Sequence, residues 1–261
     1  MREGMRVGLV IPALDEAAAI GIVVQSAPGW LDRIVVADNG SSDATAEIAL
    51  AAGAVVVRER RRGYGSACLA GLAAVRDCDV VVFADADASD DLTEMERLLA
   101  PILAGQADLV IGSRVLGRAE RGALSPQQRF GNALACRLIR LWWGARFTDL
   151  GPFRAVTRGA LERLAMADPD YGWTVEMQVK AARLGLTVAE VPVSYRRRIG
   201  RSKISGTLRG VLAAGSKILW VIAASAMRRP RVGPGPTTGL PVTRQPPYLD
   251  KRRSRQTSTR S

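Results

Sequence analysis

An Asp-x-Asp pattern directly after a short apolar run is the strongest sign of chemistry in the chain. Asp85 and Asp87 follow residues 80–84, which have the composition of a buried strand. Two carboxylates placed there have no basic neighbour in the sequence, so they need a cation to be tolerated. One or two carboxylates, together with substrate phosphates, are a usual way to hold Mg²⁺. The pattern therefore predicts a site for Mg²⁺ or Mn²⁺ at Asp85 and Asp87.

The next two acids of the same segment have a simpler explanation. Asp90 and Asp91 precede a helix that we predict to begin near Leu92. Asp is favoured at the start of a helix, where it accepts hydrogen bonds from backbone N–H groups and meets the positive end of the helix dipole. We assign capping to these two, and favour the cation for the Asp-x-Asp pair because a second acidic segment, 38–43, follows the neighbouring predicted strand.

The composition excludes several kinds of active site. The chain contains no His, which removes Ser-His-Asp and Cys-His catalysis and every metal site built on imidazole. A bound metal would need oxygen ligands, which favours Mg²⁺ or Mn²⁺. Cys68, Cys78 and Cys136 are odd in number and lack metal-type spacing. We expect them to be buried thiols in a reducing cytoplasm.

The first 113 residues predict the sheet that positions the acids. Short apolar segments alternate with helical ones, which is typical of a parallel sheet covered on both faces. The predicted strands are 7–11, 33–37, 54–57, 80–84 and 109–111, and the predicted helices are 16–26, 43–52, 66–76 and 92–103. Ligands bind beyond the carboxyl ends of such strands, where the acidic segments lie.

The pattern changes after Arg114. The predicted elements of this half are a helix over 125–143, a strand over 152–156, a helix over 175–184, a strand over 188–195, a basic loop over 196–205 and a helix over 207–227. Ser125 and Pro126 are favourable residues for the start of the first helix. The class is therefore α/β, with the sheet flanked by helices.

The last helix is predicted to be peripheral. Arg209 and Lys217 interrupt it, and the apolar stretch after Lys217 is ten residues long, whereas a bilayer span needs about 20. We expect Leu208, Leu212, Leu219 and Ile222 to share one broad apolar face, with Arg209 and Lys217 reaching outward past it to a membrane surface.

The net charge of +12 is concentrated at the C-terminus. Residues 228–261 contain nine basic residues, one acid and six prolines, so residues 1–227 carry only +4. We predict one domain over 1–227, divided into 1–114, 115–205 and the helix within 206–227, followed by a disordered basic tail over 228–261. The N-terminus lacks a signal-peptide pattern, and we expect a cytoplasmic protein.

Two groups of motifs resemble a known family. IPALDE at 11–16, VADNGSSDAT at 36–45 and DAD at 85–87 resemble the nucleotide-sugar motifs of family 2 glycosyltransferases of GT-A fold. DLGPFR at 149–154, VPV at 191–193 and RRIGRSK at 197–203 are similar to the dolichyl-phosphate mannose synthase branch and its bacterial polyprenyl-phosphate relatives. The resemblance covers about residues 5–225. It implies a Rossmann-like, nucleotide-sugar-binding GT-A sheet.

The resemblance also implies roles for individual residues. Implied donor contacts are Pro12, Leu14, Glu16, Asp38, Asp85, Ala86, Asp87 and Arg114. The implied ligands of Mg²⁺ or Mn²⁺ are Asp85 and Asp87, with Ser89 as a weaker ligand where the synthase branch carries Gln. The implied acceptor contacts are Arg129 and Arg197. Asp87, Arg197 and Lys203 are the implied catalytic residues, the last two on a loop that closes over the phosphates.

The activity implied is that of an inverting, metal-dependent transferase. It would move a sugar from a UDP- or GDP-linked donor to a polyprenyl or dolichyl phosphate at the cytoplasmic membrane face. A phosphate acceptor is ionised near pH 7 and needs no general base, which suits a chain without His. A soluble or cell-envelope hydroxyl acceptor is the alternative; it would need a base, for which Glu176 is the candidate.

A basic membrane- or nucleic-acid-binding protein without catalysis is the alternative from another class. Acids crowd the predicted ligand edge and residues 1–227 are only mildly basic, so we expect no specific nucleic-acid partner. The sequence leaves the sugar, the base of the donor and the oligomeric state open.

Overall fold

The computed structural model describes residues 2–200 and 208–227. Lys203 and the predicted tail over 228–261 lie outside the described residues. The strands are β1 Val7–Ala13, β2 Arg33–Asp38, β3 Val55–Arg58, β4 Val80–Phe83, β5 Leu109–Ala119, β6 Arg154–Thr157 and β7 Val188–Tyr195. The helices are α1 Ile20–Ser26, α2 Thr45–Ala51, α3 Tyr64–Ala74, α4 Met95–Leu103, α5 Pro126–Trp143, α6 Arg158–Leu164, α7 Trp173–Leu184 and α8 Leu208–Met227. A short 3₁₀ turn, Leu92–Glu94, precedes α4.

The strands form one sheet in the order β3-β2-β1-β4-β6-β5-β7. β1 pairs in parallel with β2 and β4, and β2 with β3, which confirms the parallel arrangement predicted for this half. β6 runs antiparallel to both β4 and β5. The carboxyl ends of β1, β2 and β4 therefore meet at one edge, and the two acidic segments lie on either side of β1.

Burial on both faces explains the continuous apolar strands. Every residue of β1 and β4 is buried. One apolar cluster includes Leu9 and Ile11 and a second includes Val10, so successive side chains of β1 enter different clusters. This alternation is what period-two side-chain geometry requires of a strand covered on both sides.

Two helices show how far local signals reach. α5 begins as predicted, because the Ser125 side chain accepts from Gln128 N and the Gln128 side chain accepts from Ser125 N. α1 begins at Ile20 rather than at the predicted residue 16. Asp15 has φ of 50°, a left-handed conformation, and the chain makes a turn before the helix starts.

α8 packs inward through side chains that the sequence analysis placed on an outer face. Val221 and Ile222 are buried with Ile139 of α5 and Val175 of α7. Leu219 is 41% exposed, so it does not share a face with Ile222. Lys217 does not reach outward, because its Nζ lies 2.9 Å from Oδ2 of Asp168, whose side chain is 8% exposed. Within the described ranges, no helix is long and apolar enough to cross a bilayer.

Candidate functional site

A cavity of about 420 Å³ opens at the carboxyl ends of β1, β2 and β4. The first half of the chain lines it with Pro12, Ala13, Leu14, Glu16, Asn39, Arg62, Gly63, Tyr64, Ala67, Asp85, Ala86 and Asp87. The second half adds Asp170, Tyr171 and Arg198. Most of the predicted donor residues therefore lie together, in the position where doubly wound α/β proteins bind ligands.

Asp38 is the predicted donor residue of β2 that does not line the cavity. Its side chain is 5% exposed, and its Oδ1 accepts from Ser41 N at 3.2 Å. The neighbouring Asn39 lines the cavity instead. Asn39 also organises the rim, because its Nδ2 donates to Arg61 O at 2.7 Å and its Oδ1 accepts from Gly63 N at 2.7 Å.

The segment after β1 is held by the segment after β2. Asp15 Oδ1 accepts from Ser42 N at 2.6 Å, and Asp15 N donates to Ser41 Oγ at 2.9 Å. Glu16 N donates to Thr45 Oγ1 at 2.8 Å. Asp and Asn tolerate the left-handed backbone that Asp15 adopts. These contacts fix the position of Glu16 at the cavity edge.

The segment after β4 places three acids close together, two of them buried. Asp87 and Asp90 are each 6% exposed, and Asp90 Oδ2 accepts from Asp85 N at 3.1 Å. Burial raises the pKa of Asp85 to about 7, and the negative charge of Asp87 adds to the rise. Burial, followed by the charge of Asp85, also raises the pKa of Asp90 well above its usual value. Without a cation, Asp85 and Asp90 therefore hold their protons more readily than ordinary carboxyl groups do.

The predicted capping role is right for Asp91 and wrong for Asp90. Asp91 is the N-cap of the 3₁₀ turn, and its Oδ1 accepts from Thr93 N at 3.2 Å. Asp90 instead turns inward toward Asp85. The two differ because Asp90 pairs with Tyr195 in an antiparallel bridge and Asp91 is also extended, and successive side chains of extended chain point to opposite sides.

Tyr64 and two glycines close the cavity wall. Tyr64 Oη donates to Asp85 Oδ1 at 3.1 Å. A Cβ on Gly65 would lie 1.9 Å from Asp168 O, and one on Gly63 would lie 2.2 Å from Pro169 O. The glycines thus allow segment 168–171 to pack against the start of α3, where Ser66 N donates to Pro169 O at 2.8 Å. This contact brings Asp170 and Tyr171 to the cavity, and sequence reasoning did not find it.

Arg114 is held by the 149–154 motif. Its Nε and Nη2 donate to the two carboxylate oxygens of Asp149 at 2.8 and 2.7 Å. Although burial disfavours its charge, these hydrogen bonds raise the pKa of Arg114. Its guanidinium also lies 5.0 Å from the ring centre of Tyr195. Arg114 is therefore fixed just behind the acid cluster and does not line the cavity.

The loop after β7 places Arg198, not Arg197, in the cavity. Arg198 Nη2 lies 2.7 Å from Glu16 Oε1, and its Nη1 lies 3.3 Å from Asp87 Oδ2. Arg197 points elsewhere, and its Nε donates to Arg121 O at 2.8 Å. Both belong to one run of arginines, so composition alone could not tell which one enters the site.

Glu176 and Arg129 lie outside the cavity lining. Glu176 Oε2 accepts from Asp168 N at 2.8 Å and its Oε1 lies 2.8 Å from Lys180 Nζ. It therefore supports the segment that carries Asp170 and Tyr171. Arg129 is exposed in the first turns of α5.

The acid cluster suits a divalent cation. Ser89 Oγ and Asp90 Oδ1 are buried, and neither accepts a hydrogen bond from a backbone N–H group of the described ranges. Asp85, Asp87 and these two atoms are all oxygen donors of the kind that Mg²⁺ and Mn²⁺ take. No ready group of three or more His, Cys, Asp or Glu ligands occurs in the described residues.

Comparisons with known proteins agree with this geometry. The family model "Glycosyl transferase family 2" matches residues 9–164. The chain is 38% identical over 213 residues to an uncharacterized glycosyltransferase of Mycobacterium tuberculosis, covering 81% of this chain and 95% of that one. It is 32% identical over 227 residues to a dolichyl-phosphate hexose transferase of Haloferax volcanii, covering 84% of this chain and 95% of that one.

A solved structure gives the fold and an example of bound ligands. Glucosyl-3-phosphoglycerate synthase of Mycobacterium tuberculosis, in complex with Mn²⁺, UDP and glucosyl-3-phosphoglycerate, matches with a TM-score of 0.70 at 27% identity. The match covers 85% of this chain and 80% of that one. The GT-A fold predicted from the sequence is confirmed.

Proposed function

Because the chain belongs to the family 2 glycosyltransferases, we propose that it moves a sugar from a nucleoside-diphosphate sugar to a polyprenyl-phosphate-type lipid, with inversion. One observation supports a nucleotide-sugar donor: the segment after β1, with Pro12, Leu14 and Glu16, and the segment after β4, with Asp85 and Asp87, line the same cavity. The related dolichyl-phosphate hexose transferase supports the lipid-phosphate half. The proposed domain is 1–227, with 1–114 as the donor half, 115–205 as the acceptor half, 206–227 as a peripheral helix and 228–261 as an accessory tail.

In this proposal, different residues of the cavity bind the nucleoside and the cation. Pro12, Leu14 and Glu16 face the nucleoside, and Asp85 and Asp87, assisted by Ser89, hold Mg²⁺ or Mn²⁺. The bound cation supplies charge stabilisation to the leaving diphosphate. Asp38 and Arg114 act from behind the lining: Asp38 holds the loop after β2 through Ser41 N, and the positive charge of Arg114 acts on Asp85 and Asp90.

The basic residues are proposed for the acceptor side and the leaving group. Arg197 belongs to the loop that borders the cavity through Arg198, and an arginine fork suits phosphate oxygens. Lys203 follows in the same sequence motif, RRIGRSK at 197–203. Arg129 is exposed on α5 and available to an acceptor phosphate. Positive charge placed where negative charge develops typically contributes about 10²–10³ in rate.

The surroundings of Glu176 favour a phosphate acceptor over a hydroxyl. The carboxylate that we considered as a base is engaged by Ala167 N, Asp168 N and Lys180, outside the cavity lining. A phosphate acceptor is ionised near neutral pH and needs no such base. The competing acceptor class is a compound without a lipid chain, which the structure with bound glucosyl-3-phosphoglycerate favours.

One assay separates these acceptors. The full-length protein is given UDP- or GDP-linked sugars with Mn²⁺ or Mg²⁺, and either a short-chain polyprenyl phosphate or 3-phosphoglycerate, and nucleoside diphosphate release is measured. Release that depends on the polyprenyl phosphate supports the proposal. If nucleoside diphosphate is released with 3-phosphoglycerate alone, the acceptor is a soluble compound and not a lipid phosphate. If none is released with any donor, the proposed activity on these substrates is wrong.

Attachment to a membrane surface is tested separately. Trp220 is 61% exposed on α8 and Leu141 is 77% exposed on α5, and the basic tail adds positive charge, worth up to about 1 kcal/mol per residue near an anionic leaflet. We expect sedimentation with anionic liposomes at low salt, loss at high salt, and weaker binding after truncation at Met227. If the full-length protein does not sediment with anionic liposomes at low salt, the proposed peripheral location is wrong.

A further inference from the structure

Arg198 lies where the acid cluster meets the cavity. Its guanidinium bridges Glu16 and Asp87, with N–O distances of 2.7 and 3.3 Å. The side chain of Arg198 is 30% exposed, whereas those of Glu16 and Asp87 are 10% and 8% exposed. The bridge is therefore well shielded from solvent on its acidic side.

Backbone contacts hold the loop in this position. Ile199 N donates to Asp87 O at 2.9 Å, and Arg196 N donates to Ser89 O at 2.8 Å. Arg198 stands between these two anchors, so its side chain starts at the rim of the acid cluster. The contact with Asp87 thus follows from how the loop after β7 is attached.

The bridge leaves the guanidinium incompletely satisfied. Arg198 Nε is buried, and no described residue accepts a hydrogen bond from it. The contact with Asp87 is the longer of the two that the guanidinium makes. A buried donor without an acceptor is costly. A ligand that offers new acceptors to Arg198 would therefore recover free energy when it draws the guanidinium away from Asp87.

We propose that Arg198 is the resident counter-ion of the donor site, and that it makes cation binding depend on the nucleotide. This inference rests on the proposed function, since it assumes a divalent cation at Asp87 and a nucleoside-diphosphate donor. A cation that arrives alone must compete with the guanidinium for Asp87. When a diphosphate arrives with it, the displaced guanidinium gains phosphate oxygens, which arginine binds in bidentate fashion. Cation and nucleotide then favour each other's binding reciprocally.

The test is the affinity of the full-length protein for Mn²⁺ alone, measured by the electron paramagnetic resonance signal of unbound Mn²⁺. Arg198→Gln should bind Mn²⁺ about tenfold more tightly than the wild type, because the competitor for Asp87 is gone. Arg198→Lys keeps a positive charge and should stay near the wild type. Arg196→Gln, which loses only the ion pair with Asp91, should leave the affinity unchanged.

Repeating the titration with UDP or GDP separates this inference from the proposed function. In the wild type the nucleotide should strengthen Mn²⁺ binding, and in Arg198→Gln this gain should shrink. If the wild type binds Mn²⁺ with nucleotide but Arg198→Gln binds Mn²⁺ alone no more tightly, the counter-ion role is wrong and the donor site stands. If Mn²⁺ binds in none of these conditions, both the metal-dependent function and the counter-ion role fail.

Discussion

The segments after β2 and β4 are both acidic and lie on either side of β1, yet they treat their carboxylates differently. After β2, Asp38 Oδ1 accepts from Ser41 N, and Asp43 accepts from Thr45 N at 3.0 Å and from Ala17 N at 3.2 Å. After β4, Asp85 lies against the buried Asp90, and both have raised pKa values. Acids of both segments accept hydrogen bonds from backbone N–H groups, but only after β4 does burial disfavour the charged form of two neighbouring acids.

This difference shows what marks a ligand site among acidic loops. Hydrogen bonds from backbone N–H groups typically stabilise a fold by about 1 kcal/mol each, so the acids after β2 have a sufficient role in holding the loop. Buried carboxylates without enough donors cost stability. Such a cost is expected at functional positions rather than in a loop that serves structure alone.

The largest effect is expected from removing the charge of Asp87. Asp87→Asn keeps an oxygen that can accept from Ser89 N, which now donates to Asp87 Oδ1 at 3.0 Å, but it removes the anionic ligand. Metal-dependent turnover, measured as nucleoside diphosphate release, should fall by about 10³-fold while the melting temperature is retained.

Asp91→Asn is the matched control for this substitution. Asp91 caps the 3₁₀ turn and pairs with Arg196, away from the cavity lining, so turnover should stay within about twofold, in line with the small worth of such exposed pairs. The assignment of a catalytic cation to this segment would be wrong if Asp87→Asn and the wild type had equal turnover, or if the wild type kept full activity in excess EDTA.

Local signals predicted the fold where contacts are local. The capping pair Ser125 and Gln128 lies three residues apart, so the start of α5 could be read from the sequence. The antiparallel insertion of β6 depends on pairing with β4 and β5, which are distant along the chain. No short-range pattern carries that information, and the sheet order beyond β4 could not be predicted.

The site shows the same limit at the level of side chains. The Asp-x-Asp pair could be located because both acids follow a recognisable strand. Arg197 and Arg198 could not be distinguished, since which one faces the cavity depends on how the loop is anchored at Asp87 and Ser89. Tyr171 reaches the cavity only because the glycines near Tyr64 admit segment 168–171, a contact between distant parts of the chain.

A smaller effect, on stability rather than turnover, is expected at Asp15. Asp15→Ala loses the hydrogen bond from Ser42 N and places Ala in a left-handed conformation. The free energy of unfolding should fall by about 2 kcal/mol, as measured by urea denaturation. Asp15→Asn keeps the acceptor and tolerates the conformation, so it should stay close to the wild type. A loss in Asp15→Asn as large as that in Asp15→Ala would mean that the charge, not the loop geometry, matters.

The smallest effect comes from one substitution made in both segments. Ser41 Oγ accepts from Asp15 N at 2.9 Å, so Ser41→Ala leaves a backbone donor without that acceptor and should lower the free energy of unfolding by about 1 kcal/mol. Ser89 Oγ is buried and accepts no hydrogen bond from a backbone N–H group in the described part of the chain, so Ser89→Ala leaves no backbone donor unpaired and should change the metal-free stability by less than about 0.5 kcal/mol. Equal losses of unfolding free energy in the two variants would contradict the distinction between a serine that holds its loop after β2 and a serine after β4 that does not. If Ser89→Ala also weakens Mn²⁺ binding in the presence of nucleotide while stability is unchanged, Ser89 Oγ serves the cation and not the fold.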